Sequence, residues 1–138
     1  MKSVKNIKLK KQYLENIEDL EETKKLTRLV IDNTFKDFLN EYNQNFYDYA
    51  LNALTENYRY VPPKKCISAG SYIRYIDVKD TKKIRLHKGG FVIEDNGYSI
   101  KFISDEGFYY TLRRNHVILF VYIKEKEIFR IEINKMAN

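Results

Sequence analysis

Residues 86–102 read "LHKGGFVIEDNGYSIKF": two short apolar runs joined by Asn96-Gly97, with a basic Lys88-Gly89-Gly90 corner leading in. A two-residue type I′ turn needs positive φ at both central positions, which Asn tolerates and Gly adopts freely. Phe91–Glu94 and Tyr98–Ile103 are therefore expected to form an antiparallel hairpin. Outward from it the period of two continues, with Gly and Asn/Asp turns roughly every 8–12 residues. Further strands are expected at Ser71–Val78, Lys83–His87, Phe108–Leu112, His116–Lys124 and Glu127–Ile133. Short turns between successive strands make them antiparallel. The expected result is a β-meander, and curling it into a small, partly open barrel of SH3-like or OB-like size reduces its exposed edges. A flat sheet covered by helices is the other arrangement.

Upstream the period changes to that of a helix. Ile31, Phe35, Phe38, Leu39, Tyr42, Phe46, Tyr49, Ala50, Ala53 and Leu54 recur at spacings of three and four, which sets them on one helical face. Leu14, Ile17, Leu20, Leu26, Leu29 and Val30 give a weaker stripe, so a first helix is expected over about residues 11–30. Thr34-Phe35-Lys36-Asp37 has the form of a capping box and predicts a helix start near Thr34. The two stretches form a helical hairpin or one bent helix. Pro62 and Pro63 lack amide hydrogens and end the helical pattern. The chain thus divides into a helical region over residues 1–61, a linker over 62–70 and an antiparallel β region over 71–138, an α+β protein.

At 138 residues and 43% hydrophobic content the chain can fill one or two small cores, and it is too short for an elaborate multidomain enzyme. Chemistry is sparse. His87 and His116 are far apart and Cys66 is the lone cysteine, so no zinc-ligand spacing exists. No nucleophile elbow is present, and Gly89-Gly90 precedes a strand where a phosphate loop would precede a helix. Carboxylate pairs such as Asp77 and Asp80, Glu94 and Asp95, or Asp105 and Glu106 lie in turns, which recruit Asp for backbone hydrogen bonds. No catalytic residue, metal, cofactor or small-molecule substrate is expected, and the chain reads as no enzyme. The longest apolar run, Val117–Ile123, is too short for a membrane span. A solitary thiol fits a reducing compartment, so a cytoplasmic location is expected.

The net charge is +6, with 25 basic and 19 acidic residues, which favours acidic protein surfaces or nucleic acid as partners. Basic residues Arg74, Lys82, Lys83, Arg85 and Lys88 cluster in one stretch, and Arg113 and Arg114 come from a later turn. With Tyr72, Tyr75, Tyr98, Phe108, Tyr109 and Tyr110 nearby, they are the candidate nucleic-acid contacts, rings stacking bases while cations track phosphates. Aromatic residues are also good strand formers that fill small barrels. The leading expectation is therefore a structural or assembly protein that docks on other protein chains or on itself. Its candidate contacts are Phe35, Phe38, Tyr42, Phe46 and Tyr49 on the long aromatic helix face, more than one small barrel needs.

The succession "GSYIRYIDV", "LHKGGFVIEDNGYSIKF" and "FYYTLRRNHVILFVYIKEK" resembles small proteins of large nucleocytoplasmic DNA viruses. The likeness covers residues 70–124 and rests on Tyr72-Ile73-Arg74-Tyr75-Ile76 and Gly89-Gly90-Phe91. It implies a non-enzymatic protein of the infected-cell cytoplasm or virion, acting in virion structure or on the viral genome, and it assigns no site residues.

Overall fold

A computed structural model of the chain describes residues 20–38, 41–79 and 83–123. The expected strand Glu127–Ile133, the first part of the expected first helix, Lys82, and the side chains of Phe38 and Tyr42 lie outside the described residues. Helix α1 (Leu20–Phe35) ends in a 3₁₀ turn (Lys36–Phe38), and helix α2 (Glu41–Leu54) follows. The helical stretch is thus a pair, with α1 running into the expected capping box and ending there. Thr34 is not a cap: its hydroxyl donates backwards to the Val30 carbonyl at 2.7 Å, satisfying it inside the helix.

Six strands follow: β1 (Tyr58–Val61), β2 (Tyr72–Asp77), β3 (Leu86–Asp95), β4 (Ser99–Ile103), β5 (Tyr109–Arg113) and β6 (Val117–Tyr122). They form one antiparallel sheet in the order β1-β6-β2-β3-β4-β5. Strands β2 to β5 are the expected meander. A 3₁₀ turn of three residues, Arg114–His116, then carries the chain from the β5 edge to β6, which pairs on the far side of β2. So short a link across so many strands requires a strongly curled sheet, the small and partly open barrel form, and among the described residues the edges β1 and β5 stay unjoined.

Two strands differ from expectation. Tyr58–Val61 falls in the region read as helical, yet it is a strand, its aromatic and β-branched residues paired with β6 at Tyr58↔Tyr122 and Tyr60↔Phe120. Strand β3 runs unbroken through the glycine corner that was expected to separate two strands. The glycines are there because both neighbours crowd the backbone. A Cβ on Gly89 would overlap the Ile73 carbonyl, lying 2.8 Å from its carbon, and one on Gly90 would overlap the Ile103 carbonyl, 2.7 Å from its carbon. Register shifts at Ile73/Tyr75, opposite the pair, and at Val92/Glu94, just after it, bend the strand.

The sheet carries a core on each side. Ile31 and Phe35 of α1 and Ala50 and Leu54 of α2, each pair at i, i+4, pack with Ile76, Ile84, Leu86 and Phe120. Inside the curl, Val61, Ile67, Ile73, Val92, Ile100, Phe102 and Leu119 form the second cluster. Buried Thr27 fastens α1 to the sheet, donating to the Thr23 carbonyl at 2.7 Å and accepting from the Tyr60 amide at 3.0 Å. Among the described residues no helix is long and apolar enough to cross a membrane.

The segment between Val61 and Tyr72 is packed, with Ile67 buried and the Gly70 amide donating to the Val92 carbonyl at 2.8 Å. A buried ion pair holds it. The Arg114 guanidinium donates to Asp95 Oδ2, to the Pro62 carbonyl at 3.0 Å and to the Lys65 carbonyl at 3.1 Å. Asp95 also accepts from the amides of Ile67 at 2.9 Å and Gly97 at 3.0 Å. The hairpin tip itself departs from type I′. Gly97 alone has positive φ, at 86°, while Asn96 keeps negative φ and caps the turn with its side chain, accepting from the amides of Tyr98 at 2.9 Å and Ser99 at 2.8 Å.

Three substitutions test this frame by chemical denaturation. Gly90→Ala is expected to lose about 3 kcal/mol or more, since backbone on the facing strand cannot yield cheaply to a new methyl group. Gly97→Val is expected to cost about 1–3 kcal/mol through strain at positive φ. Arg114→Ala strands the Asp95 carboxylate and is expected to cost about 3–5 kcal/mol. Unchanged unfolding midpoints in the first or last would contradict the packing described.

Candidate functional site

Strand alternation sets Tyr72, Arg74 and Ile76 on the outer face of β2. The two helices cover the Ile76 end, and among the described residues the other end, around Arg74, has no helix packed over it. The last turns of α2 bring Tyr49 to the edge of this opening. Arg74 Nη2 donates to the Tyr49 hydroxyl at 3.1 Å, its guanidinium carbon stands 5.5 Å from that ring's centroid, and its Nε reaches the His87 carbonyl at 3.4 Å. Neutral acceptors and a π-face therefore hold the guanidinium in place. Among the described residues, no carboxylate lies within ion-pair distance of it.

Aromatic rings surround this cation. Tyr58 and Tyr122, cross-strand neighbours on β1 and β6, have centroids 5.2 Å apart. Tyr72 meets Phe91 edge to face at 5.0 Å and donates its hydroxyl to Asp105 Oδ2 at 3.1 Å. Phe91 and Tyr49 are each about half exposed, at 48% and 50%, so these rings are presented to solvent and are not core. The electrostatics follow the geometry. Burial pushes the Tyr58 phenol up to about 12, with Arg74 opposing. The hydrogen bond and charge of Arg74 lower the Tyr49 phenol, helped slightly by Lys88. Burial and then the Asp105 hydrogen bond raise the Tyr72 phenol.

The residues singled out in the sequence are dispersed by the fold. Arg74 and Lys88 come together at Tyr49. Arg85 instead influences Tyr75 and His87, a stacked pair at 4.9 Å that belongs to the inner ring series with Phe102 and Tyr110. Burial and the Arg85 charge lower the His87 pKa. Lys83 and Arg113 are exposed. Arg114 is a correction to the basic set: it is buried, and its donors are spent on Asp95 and two carbonyls, so it offers no cation to a phosphate.

Among the helix-face residues, Phe35 is a second correction. It is fully buried against the chain's own sheet, so it cannot contact a partner. Phe46 is half-buried against the same core, and Tyr49 alone of the described members belongs to the open site. Tyr58, Tyr122 and Phe91 complete the site without having been singled out for it. The i, i+2 spacing of Tyr72 and Arg74 was the readable signal, whereas Tyr58 sat in a stretch read as helix.

Among the described residues no three His, Cys, Asp or Glu side chains gather to hold a metal. A pocket lined by Tyr60, Val61, Pro63, Arg114, Val117 and Leu119 holds about 60 Å³, far below the roughly 300–1,000 Å³ of small-molecule sites. Comparison with protein-family models, curated proteins and solved structures finds no match.

Tyr58 supplies a pH test of the site. Its folded pKa of about 12 lies above the ordinary 10.0, so the fold favours the neutral phenol. The stability this contributes is complete below pH 10.0 and is lost as pH rises through 12. Denaturation midpoints measured across that window are expected to fall less steeply in Tyr58→Phe than in the wild-type chain. Parallel declines would mean that Tyr58 ionises as freely as a solvated phenol.

Proposed function

We propose that the protein is a non-enzymatic structural or assembly module that docks on another protein chain through the outer sheet face around Arg74. The observation that carries this reading is a positioned guanidinium, with no carboxylate at ion-pair distance among the described residues, set among Tyr49, Tyr58, Tyr72, Tyr122 and Phe91. Tyrosine and arginine are the residues enriched in binding hot spots, because each combines a large contact area with directed hydrogen bonding. Rigid placement reduces the ordering cost on association. A partner segment with a carboxylate for Arg74 and an apolar side chain for Phe91 matches the face. The viral likeness in the sequence extends the proposal to assembly in an infected cell's cytoplasm.

Nucleic acid is the second reading, supported by Lys88 and Arg74 beside stackable rings. Against it, Asp105 is hydrogen-bonded into the same face through Tyr72, with Glu106 beside it, and these carboxylates oppose a run of phosphates more than one carboxylate placed on Arg74. The test compares full-length wild type with Phe91→Ser and Arg74→Ser variants shown to melt at the wild-type temperature. Proteins captured from the source cell after nuclease treatment are expected to include one that both variants lose. Identical capture by all three would defeat the docking reading. Capture that disappears with nuclease, and oligonucleotide affinity that falls on the order of a thousandfold between about 50 and about 200 mM salt, would transfer the face to nucleic acid.

A further inference from the structure

We infer that β5 is a self-association edge, at which two copies of the chain pair antiparallel about a two-fold axis through Thr111. The inference concerns the sheet edge and stands independently of docking by the outer face. Among the described residues β5 pairs with β4 alone and ends the sheet. Its five residues are exposed except for half-buried Leu112. The ladder direction fixes which backbone groups are open. The Ser104 amide donates to the Phe108 carbonyl at 2.8 Å, and the Arg114 amide donates to the Tyr98 carbonyl at 2.9 Å. Antiparallel bonding alternates along the strand, so residues 108, 110, 112 and 114 face β4. Tyr109, Thr111 and Arg113 therefore aim their amides and carbonyls away from the sheet.

Those three positions select the occupant and its register. With Thr111 opposite Thr111 of the second copy, Tyr109 of each chain stands opposite Arg113 of the other. Every outward backbone group of the three residues then has a partner. On the outer face the side-chain pairs are Tyr109 with Arg113, a cation–π and hydrogen-bonding match, and Thr111 with Thr111. On the inner face Tyr110 meets Leu112, an aromatic–aliphatic match. Centring the axis on Arg113 would set like charges against each other, and centring it on Tyr109 would leave Arg113 unmatched. The sequence Tyr109-Tyr110-Thr111-Leu112-Arg113 is thus self-complementary in one register. Protective devices such as a proline, an inward charge or a bulge, which proteins place on edges to prevent such pairing, are missing from β5. The contact is isologous and closes at two copies.

Sedimentation velocity of the full chain from about 5 to about 500 μM tests this. Wild type is expected to pass from monomer to dimer over that range. Thr111→Pro removes an outward amide that β4 does not use, so it is expected to keep the wild-type melting temperature and remain monomeric. Tyr109→Lys opposes two like charges and is expected to abolish the dimer, and adding Arg113→Glu to it is expected to restore dimerisation. A wild type that stays monomeric throughout overturns the inference, as does a folded Thr111→Pro variant that still dimerises. Should Thr111→Pro fail to fold, the charge pair decides: a double variant no better at dimerising than Tyr109→Lys alone would also overturn it.

Discussion

The Asp95–Arg114 ion pair sits where three non-adjacent segments must meet. Arg114 is in the turn between β5 and β6, Asp95 ends β3, and the carbonyls of Pro62 and Lys65 belong to the strap leading from β1 to β2. The Arg114 amide adds a bond to Tyr98 in the hairpin tip, and Ile67 donates to Asp95 from the strap. Transferring both charges out of water is costly, and their attraction alone does not guarantee net stabilisation. What the pair adds is exclusivity. Any other arrangement of strap, hairpin and returning turn leaves a buried charge unmatched, so the ends of the curled sheet are fixed against one another.

The curl in turn depends on Gly89 and Gly90. With side chains at those positions β2 and β4 could not approach β3 so closely, the strand would flatten, and three residues could not span from the β5 edge back to β6. Curvature in the middle of the sheet and the ion pair at its end are therefore coupled. Because the sheet is curled, one face encloses Ile73, Phe102 and Leu119 while the other has only part of its width covered by the two helices. The uncovered part is where Arg74, Tyr72 and Phe91 stand. The same geometry that makes the second core leaves the outer face open.

Much of this was legible in local pattern. The hairpin around Gly97, the period change after the helices and the antiparallel meander all follow from short-range rules of turn chemistry and alternation, and the α+β class with its helical pair is present as read. The departures are those set by distant partners. Tyr58–Val61 is too short to declare its own period, and it becomes a strand by pairing with β6. The glycine pair looks like punctuation in sequence, because crowding by Ile73 and Ile103 is invisible there. Arg114 in "LRRNH" has the appearance of a solvated turn charge, and only its contact with Asp95, 19 residues away, shows otherwise. The aromatic helix stripe was read as a surface for a partner, but the chain's own sheet covers Phe35 and removes it from any interface.

Arg74 and Arg114 show how surroundings divide one residue type between two tasks. Arg114 is enclosed by a carboxylate and two carbonyls, so its charge is neutralised and its donors are occupied. Arg74 is held by a phenol, a carbonyl and a ring, which fix its position without cancelling its charge. In water such a cation is well solvated. Covered by a partner it would be exposed to a lower dielectric, where an unmatched charge is penalised and a matching carboxylate is rewarded more strongly than at an open surface. Under the proposed docking, the tyrosines around it would supply apolar area for water exclusion and hydroxyls for the rim. Discrimination at this face would thus come from the cost of burying Arg74 against the wrong surface as much as from the gain against the right one.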